Sequence, residues 1–307
     1  MKRPKITVVG AGNVGATLAH LAIMKKLGNV MLMDIVEGIP QGKALDIQES
    51  TPVEGLSNHI TGTNDYGDTA GSDMIVITAG IARKPGMTRN DLLDTNIKII
   101  RDVVRNVAPL SPDAFLVLVT NPSDVMAQVA LQESGFAPEK IIGLGGVLDS
   151  ARFRTFIAQE IGVSYKDVTA FVLGGHGDDM VPLVRYSYAG GIPIDTLLDE
   201  ETLDNLVHRT RFGGGEIVNL LKSGSAYYAP ASSIISMIES ILLDEKRIMP
   251  VSAYVNGEYG MKGLFLGVPV ILGASGIEKI LEIDLLEEEW RGLEKSAEGV
   301  KEILAKL

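Results

Sequence analysis

A glycine-rich turn close to the N-terminus constrains the fold of this chain more than any other feature. Gly10, Gly12 and Gly15 lie in the hexapeptide GAGNVG, between a short apolar run at residues 6–9 and a helical segment at residues 16–26. This order is typical of the first strand–turn–helix unit of a sheet that binds a dinucleotide, whose pyrophosphate meets the helix N-terminus. We therefore expect the whole turn to bind such a cofactor: Gly10, Ala11, Gly12, Asn13, Val14 and Gly15.

An aspartate at the end of the second apolar run refines this prediction. Asp34 follows residues 30–33, about 20 residues after the turn. A carboxylate there accepts hydrogen bonds from the adenosine ribose and repels a 2′-phosphate, so that NAD is favoured over NADP. The alternative is a structural tight turn followed by an ordinary strand-end aspartate, and the flanking strand and helix disfavour it.

The first half of the chain repeats one pattern. Apolar runs without alternation, at residues 6–9, 30–33, 74–78 and 115–119, predict strands that are buried on both faces. Between them lie helical segments; in residues 92–107, apolar side chains recur at intervals of three and four. Strands that alternate with helices predict an α/β fold with a doubly wound parallel sheet.

The second half has a mixed pattern. Val168–Leu173 and residues 181–188 predict strands, residues 251–255 and 264–271 predict a hairpin, and the C-terminal residues 285–307 predict an amphipathic helix. We therefore expect a second, α+β domain. The glycines at 143, 145 and 146 precede its start, and we divide the chain into residues 1–148 and 149–307.

Composition excludes several classes of function. The 28 Lys and Arg against 39 Asp and Glu leave a net charge of −11, which opposes nucleic acid or anionic membranes as partners. The absence of cysteine excludes disulfides, thiolate metal sites and a cysteine nucleophile. No metal site is expected, since the sequence has no HExxH motif. No uncharged run reaches the ~20 residues of a membrane-spanning helix, so we expect a cytoplasmic protein.

Acid–base chemistry is indicated by two segments of the second half. His176 lies in the motif GGHGD after the strand Val168–Leu173, and an imidazole with an ordinary pKa of about 6.5 suits proton transfer near neutral pH. Asp149 is the candidate carboxylate that orients it, as in other histidine-based sites. Arg152 lies three residues after Asp149, on the same face of a helix. The remaining histidines are expected to be structural.

Two further segments follow strands at the carboxyl edge of the parallel sheet, where ligands bind in such folds. Residues 78–89 hold Arg83, Arg89 and a Pro-Gly turn before a long helix, which indicates a mobile lid that carries positive charge. Asn121 follows the fourth strand in the motif VTNP and offers both a donor and an acceptor.

The motifs GAGNVG, TAGIARKPGMTR, VTNP, LDSAR and GGHGD occur in this order over nearly the whole chain. In this the sequence resembles the L-lactate/malate dehydrogenase family, nearest its lactate-dehydrogenase-like branch of bacterial malate dehydrogenases, which is often tetrameric. The resemblance implies a Rossmann NAD-binding domain, a second substrate domain and a homo-oligomer. It also implies cofactor contacts at Asn96, Val119, Thr120 and Asn121.

The resemblance further implies the role of each polar residue. His176 is the acid/base and Asp149 its partner, while Arg152 binds the C1 carboxylate of the substrate in a bidentate fork. Arg89 polarises the reacting carbonyl, and Asn121 contacts both substrate and nicotinamide. Arg83 stands where lactate dehydrogenases usually carry Gln and malate dehydrogenases Arg, which implies a dicarboxylate substrate, malate or oxaloacetate.

Two alternatives remain open at this point. The first is a dehydrogenase for L-lactate or another 2-hydroxyacid with the same machinery. The second is a non-catalytic NAD(H)-binding sensor, which the fold alone does not exclude. The five polar residues at positions 83, 89, 149, 152 and 176 argue against a sensor, because binding NAD alone requires none of them.

Overall fold

The computed structural model describes residues 3–81, 89–177 and 179–305. Its helices are α1 (Asn13–Met24), α2 (Ile39–Val53), α3 (Arg89–Val107), α4 (Ser123–Ser134), α5 (Gly146–Ile161), α6 (Glu200–Leu221), α7 (Tyr228–Leu242) and α8 (Glu287–Leu304). Its strands are β1 (Lys5–Val9), β2 (Asn29–Met33), β3 (Ile60–Thr63), β4 (Met74–Ile77), β5 (Phe115–Leu118), β6 (Ile141–Gly143), β7 (Val168–Leu173), β8 (Val181–Ala189), β9 (Ile192–Pro193), β10 (Arg247–Asn256), β11 (Lys262–Gly273) and β12 (Gly276–Ile280).

Nine of these strands form one mixed sheet in the order β12-β11-β10-β6-β5-β4-β1-β2-β3. The six strands from β3 to β6 are parallel and have the doubly wound order 3-2-1-4-5-6. Antiparallel pairing of β10 to β6 then adds three strands of the second half, β10, β11 and β12. The predicted α/β class, with a doubly wound parallel sheet, is confirmed.

The parallel strands are apolar because both faces of the sheet are covered. Every side chain of β4 is buried, and α3 turns a row of buried aliphatic residues toward the sheet. That row has the spacing predicted from the sequence: Ile97, Ile100, Val103, Val104 and Val107. Burial on both faces leaves no reason for polar residues to alternate along β4 or β5.

A second sheet, of three strands, leads into the loop that holds His176. Strands β7, β8 and β9 are antiparallel neighbours, and α5 packs on β7 through Phe153 and Ile157. The end of β7 approaches β11 closely, with the Gly174 N–H donating to the Gly267 carbonyl at 2.8 Å. A Cβ atom on Gly267 would lie 2.1 Å from the Gly174 carbonyl oxygen, so this contact requires glycine.

Several elements escape the sequence patterns for physical reasons. Strand β3 (ITGT) has no apolar run because it lies at the edge of the sheet, and β6 is only three residues long. Helix α2 contains Pro40, Gly42 and Pro52, which mask its helical pattern. In the described part of the chain, no helix combines the length and apolarity needed to cross a membrane.

Candidate active site

The glycine turn lies at the point where the strand order of the sheet reverses, between β1 and β4. Gly10 has a φ of +108°, and the Thr78 hydroxyl donates to its carbonyl oxygen at 2.9 Å. A Cβ atom on Gly15 would stand 1.9 Å from the same oxygen. The fold of the turn therefore requires both glycines. Gly10 has a φ that L side chains rarely adopt, and Gly15 has no room for a Cβ atom.

Gly12 is different, because nothing in the fold demands it. Its φ is −68°, and no described atom lies within 4 Å of the position its Cβ would take. Within the described residues no side chain caps α1, so the N–H groups of its first turn remain available to an anion. An open backbone surface at a helix N-terminus fits the pyrophosphate of NAD.

Asp34 lies beside this turn, as predicted, and organises its backbone. One carboxylate oxygen accepts from the Ala11 N–H at 2.7 Å and the other from the Val36 N–H at 3.0 Å. Two residues that the sequence analysis missed lie nearby. The Lys43 ammonium donates to the Ala11 carbonyl at 2.6 Å, and the Ile35 side chain is 80% exposed next to the carboxylate.

The residues predicted for acid–base chemistry are assembled around one buried carboxylate. Asp149, on α5, is 1% exposed; its Oδ2 lies 2.8 Å from His176 Nδ1 and its Oδ1 3.0 Å from Arg152 Nη1. The structure thus brings together the three residues predicted from LDSAR and GGHGD. With Nδ1 engaged by the carboxylate, Nε2 is the ring nitrogen left for a substrate proton.

The surroundings of His176 raise its pKa. Burial lowers the pKa of the imidazole, but the charge of Asp149 and its hydrogen bond to the ring more than offset this. Arg152 lowers the pKa further and the carboxylate of Asp124 raises it, and the net result lies above the ordinary 6.5. The protonated ring therefore persists to a higher pH than a free histidine would allow.

Asp124 is a functional candidate that the sequence analysis missed. It is 4% exposed near the start of the buried helix α4, where Ser252 Oγ donates to its Oδ1 at 2.5 Å. A Cβ atom on Gly175, the residue before His176, would lie 3.4 Å from Oδ2 of Asp124. Burial raises the pKa of Asp124, although the Ser252 hydroxyl and His176 act against the shift. The available signal was a carboxylate within the apolar stretch SDVMAQVA.

His176, Arg152 and Asn121 face one cavity of about 390 Å³. The guanidinium of Arg152 donates from Nη1 to Asp149, and its buried Nε has no hydrogen-bond partner among the described residues. Such an unsatisfied guanidinium nitrogen is suited to a carboxylate ligand. Residues from α6, its following loop and the start of α7 complete the wall and were not predicted: Arg211, Gly214, Gly215, Val218, Ser225, Ala226 and Pro230.

The residues predicted around VTNP meet at the same edge of the sheet. Val119 and Asn121 line the cavity, and the Thr120 hydroxyl donates to the Ala79 carbonyl at 2.6 Å. Asn96 is buried; its amide donates to the Asn121 carbonyl and accepts from the Ile81 N–H. Thr120 and Asn96 thus tie the β4 and β5 loops together, and their contacts with a cofactor stay predictions.

Arg83, Asp178 and the side chain of Arg89 lie outside the described residues. Their assigned roles accordingly stay predictions. In the part of the chain that is described, no group of three or more His, Asp or Glu side chains has an arrangement that could hold a metal ion.

Family models match both halves of the chain. Residues 4–143 match the lactate/malate dehydrogenase NAD binding domain, and residues 146–307 match the lactate/malate dehydrogenase alpha/beta C-terminal domain. The malate dehydrogenase of Bacillus pumilus is 58% identical over 305 residues, which cover 99% of this chain and 98% of the relative. That of Geobacillus kaustophilus is 58% identical over 309 residues, or 100% and 99% of the two chains.

Solved structures share the fold over the full length. Malate dehydrogenase from Picrophilus torridus, in its apo form, superposes with a TM-score of 0.95 at 52% identity, covering 98% of this chain and 96% of its own. Lactate dehydrogenase from Cryptosporidium parvum, complexed with lactic acid and nicotinamide adenine dinucleotide, has a TM-score of 0.95 at 44% identity, covering 99% and 97%.

Proposed function

The chain belongs to the lactate/malate dehydrogenase family, and from this premise we propose that it is an NAD-dependent malate dehydrogenase that interconverts (S)-malate and oxaloacetate. The observation that carries the proposal is the hydrogen-bonded group of His176, Asp149 and Arg152, which faces a cavity at the carboxyl edge of the sheet. The malate dehydrogenases that match along nearly the whole chain support the choice of substrate.

The cofactor end of the site is built mainly from backbone. When bound, NAD supplies the acceptor for the hydride that leaves C2 of malate. The open surface at Gly12 and the first turn of α1 hold the pyrophosphate. Asp34 holds the adenosine ribose, and the exposed Ile35 side chain offers an apolar surface for the adenine ring.

Proton transfer is the task of His176. In malate oxidation the neutral ring accepts the hydroxyl proton at Nε2, and in oxaloacetate reduction the protonated ring returns it. Asp149 holds the Nδ1 proton, which fixes the tautomer and stabilises the imidazolium once it forms. A single group thereby serves both directions.

Substrate orientation falls to the arginines. Arg152, whose Nη1 is paired with Asp149, binds the C1 carboxylate with the rest of its guanidinium, and Asn121 contacts the substrate from the opposite loop. Arg89 polarises the reacting carbonyl, and Arg83 pairs with the second carboxylate, which pyruvate lacks. Because an unpaired arginine in a closed site is costly, a monocarboxylate is expected to be a poor substrate.

Steady-state oxidation of NADH with oxaloacetate and with pyruvate tests this function directly. We expect kcat/KM for oxaloacetate to exceed that for pyruvate by at least 10²-fold, since a charged pair is lost with pyruvate. Equal efficiencies would contradict the malate assignment, and NADH binding without turnover would favour the sensor. Arg83→Gln should shift preference toward pyruvate, whereas Arg291→Gln, at an exposed position on α8, should leave it unchanged.

The setting of the enzyme is also part of the proposal. We assign it to the cytoplasm and the tricarboxylic acid cycle, as a homo-oligomer with a tetramer favoured over a dimer. Exposed apolar side chains on α2 and α6 support subunit contacts, namely Leu45, Val53 and Leu220. Residues 1–148 form the cofactor domain and 149–307 the substrate domain. Sedimentation equilibrium would give the mass of the assembly.

A further inference from the structure

The short loop that carries His176 is held by its backbone as well as by the ring. Two successive N–H groups are bound by two separate elements: Gly174 donates to the Gly267 carbonyl of β11, and Gly175 donates to Ser296 Oγ on α8. The Ser296 acceptor is a side chain, so it can be removed by mutation.

Ser296 is far from this loop in sequence. Its Oγ lies 2.5 Å from the Gly175 nitrogen, across 121 positions of the chain, and the residue is only 5% exposed. The loop also packs directly on this hydroxyl. A Cβ atom on Gly174 would lie 3.0 Å from Ser296 Oγ, and one on Gly175 would lie 3.1 Å from it.

We propose that Ser296 is a positioning residue for proton transfer, which holds the peptide before His176 so that the imidazole stays aligned between Asp149 and the substrate. The inference rests on the proposed function of His176. Glycines on both sides of the loop give its backbone wide conformational freedom. A fixed acceptor for the Gly175 N–H removes that freedom at the residue adjacent to the reacting ring.

The consequence of removing the hydroxyl follows from the same contacts. Ser296→Ala leaves the half-buried Gly175 N–H without its partner, which favours a displaced loop. Displacement lengthens the 2.8 Å contact between His176 Nδ1 and Asp149. The ring is then misaligned for transfer, and proton-transfer steps are sensitive to such errors.

The experiment compares Ser296→Ala with Ser233→Ala. Ser233 is equally buried at 5% exposure, but it lies on α7 and donates to Ala229 within its own helix. We expect Ser296→Ala to lower kcat about 10-fold for both malate and oxaloacetate, while the NADH dissociation constant, measured by fluorescence, stays unchanged. Ser233→Ala should retain wild-type kcat.

The pH profile of kcat for Ser296→Ala distinguishes a positioning role of Ser296 from a purely structural one. The charged groups that face the ring are Asp149, Arg152 and Asp124, and Asp149 is the main one that raises the pKa of His176. Loosening that contact in Ser296→Ala should move the apparent pKa of kcat down toward 6.5. A wild-type kcat and pH profile in Ser296→Ala would overturn the positioning role.

A second variant and the activity of the wild-type protein complete the test. If Ser296→Ala does not fold, Ser296→Cys takes its place, because a thiol fills the same position but is a weak acceptor. It should show a reduced kcat and a lowered apparent pKa, and wild-type values would again overturn the role. If the wild-type protein itself does not turn over oxaloacetate, the proposed function fails, which is a distinct result.

Discussion

Two glycine-rich loops of this molecule use their glycines differently. They are the turn at residues 10–15 and the loop at residues 174–177. The turn offers backbone to a ligand and is completed largely within the first 43 residues, by Asp34 and Lys43. The later loop presents one side chain, and its supports come from α5, α8 and β11.

This difference shows how each site is expected to fail. In a site built from backbone, some glycines leave space for the ligand and others are needed for the chain to form the turn. In a site built on one side chain, residues distant in sequence hold the reacting ring in its orientation. Mutations at the turn should therefore separate binding from stability, and mutations at the loop should separate turnover from binding.

Asp149→Asn should have the largest effect. The amide no longer stabilises the imidazolium and can bind the wrong tautomer of His176, so we expect kcat to fall by roughly 10³-fold in both directions. The NADH dissociation constant should be unchanged, because Asp149 lies at the substrate end of the site. Stopped-flow turnover and fluorescence titration measure the two quantities, and a parallel loss of NADH binding would break the separation between the two loops.

Gly12→Ala and Gly15→Ala should separate the two uses of glycine within the turn. Since no described atom lies near the Cβ position of Gly12, its variant should fold normally yet bind NADH at least ~10-fold more weakly. A Cβ on Gly15 meets the Gly10 carbonyl, so this variant should lose about 1–3 kcal/mol of stability. Urea unfolding with NADH titration checks both, and equal destabilisation of the two variants would contradict the assignment.

Asp34→Asn should have the smallest effect, confined to cofactor choice. The amide keeps one acceptor oxygen but no longer repels a 2′-phosphate, so kcat/KM with NAD should fall several-fold and that with NADP should rise. An unchanged ratio of NAD to NADP efficiency would show that Asp34 only supports the Ala11 and Val36 amides. Asp46→Asn, on the neighbouring helix α2, is a control of the same chemistry.

The same comparison explains how far the sequence could predict the structure. The turn and Asp34 are close in the chain, and four of the six parallel strands (β1, β2, β4 and β5) have apolar runs, so these features were predicted from local patterns. His176, Asp149 and Arg152 were predicted because each lies in a motif of its own. Asp124 and Ser296 were missed, since neither shares a motif with His176 and only the fold brings them to its loop.

The charge around the cavity could be assessed only from the structure. A net charge of −11 would repel an anionic cofactor and an anionic substrate at long range. The cavity nevertheless contains Arg152 and Arg211, and α1 directs its N-terminus to the crevice. Attraction in this molecule is therefore local to the cleft.

The pH dependence of kcat in both directions tests the central claim most directly, namely that His176 carries the proton. Because its pKa is raised above 6.5, oxaloacetate reduction should persist at neutral pH and decline as pH rises through that higher value. Malate oxidation, which needs the neutral ring, should rise with pH. Opposite profiles are the predicted result. Parallel profiles, after correction for the proton in the overall equilibrium, would contradict the role of His176.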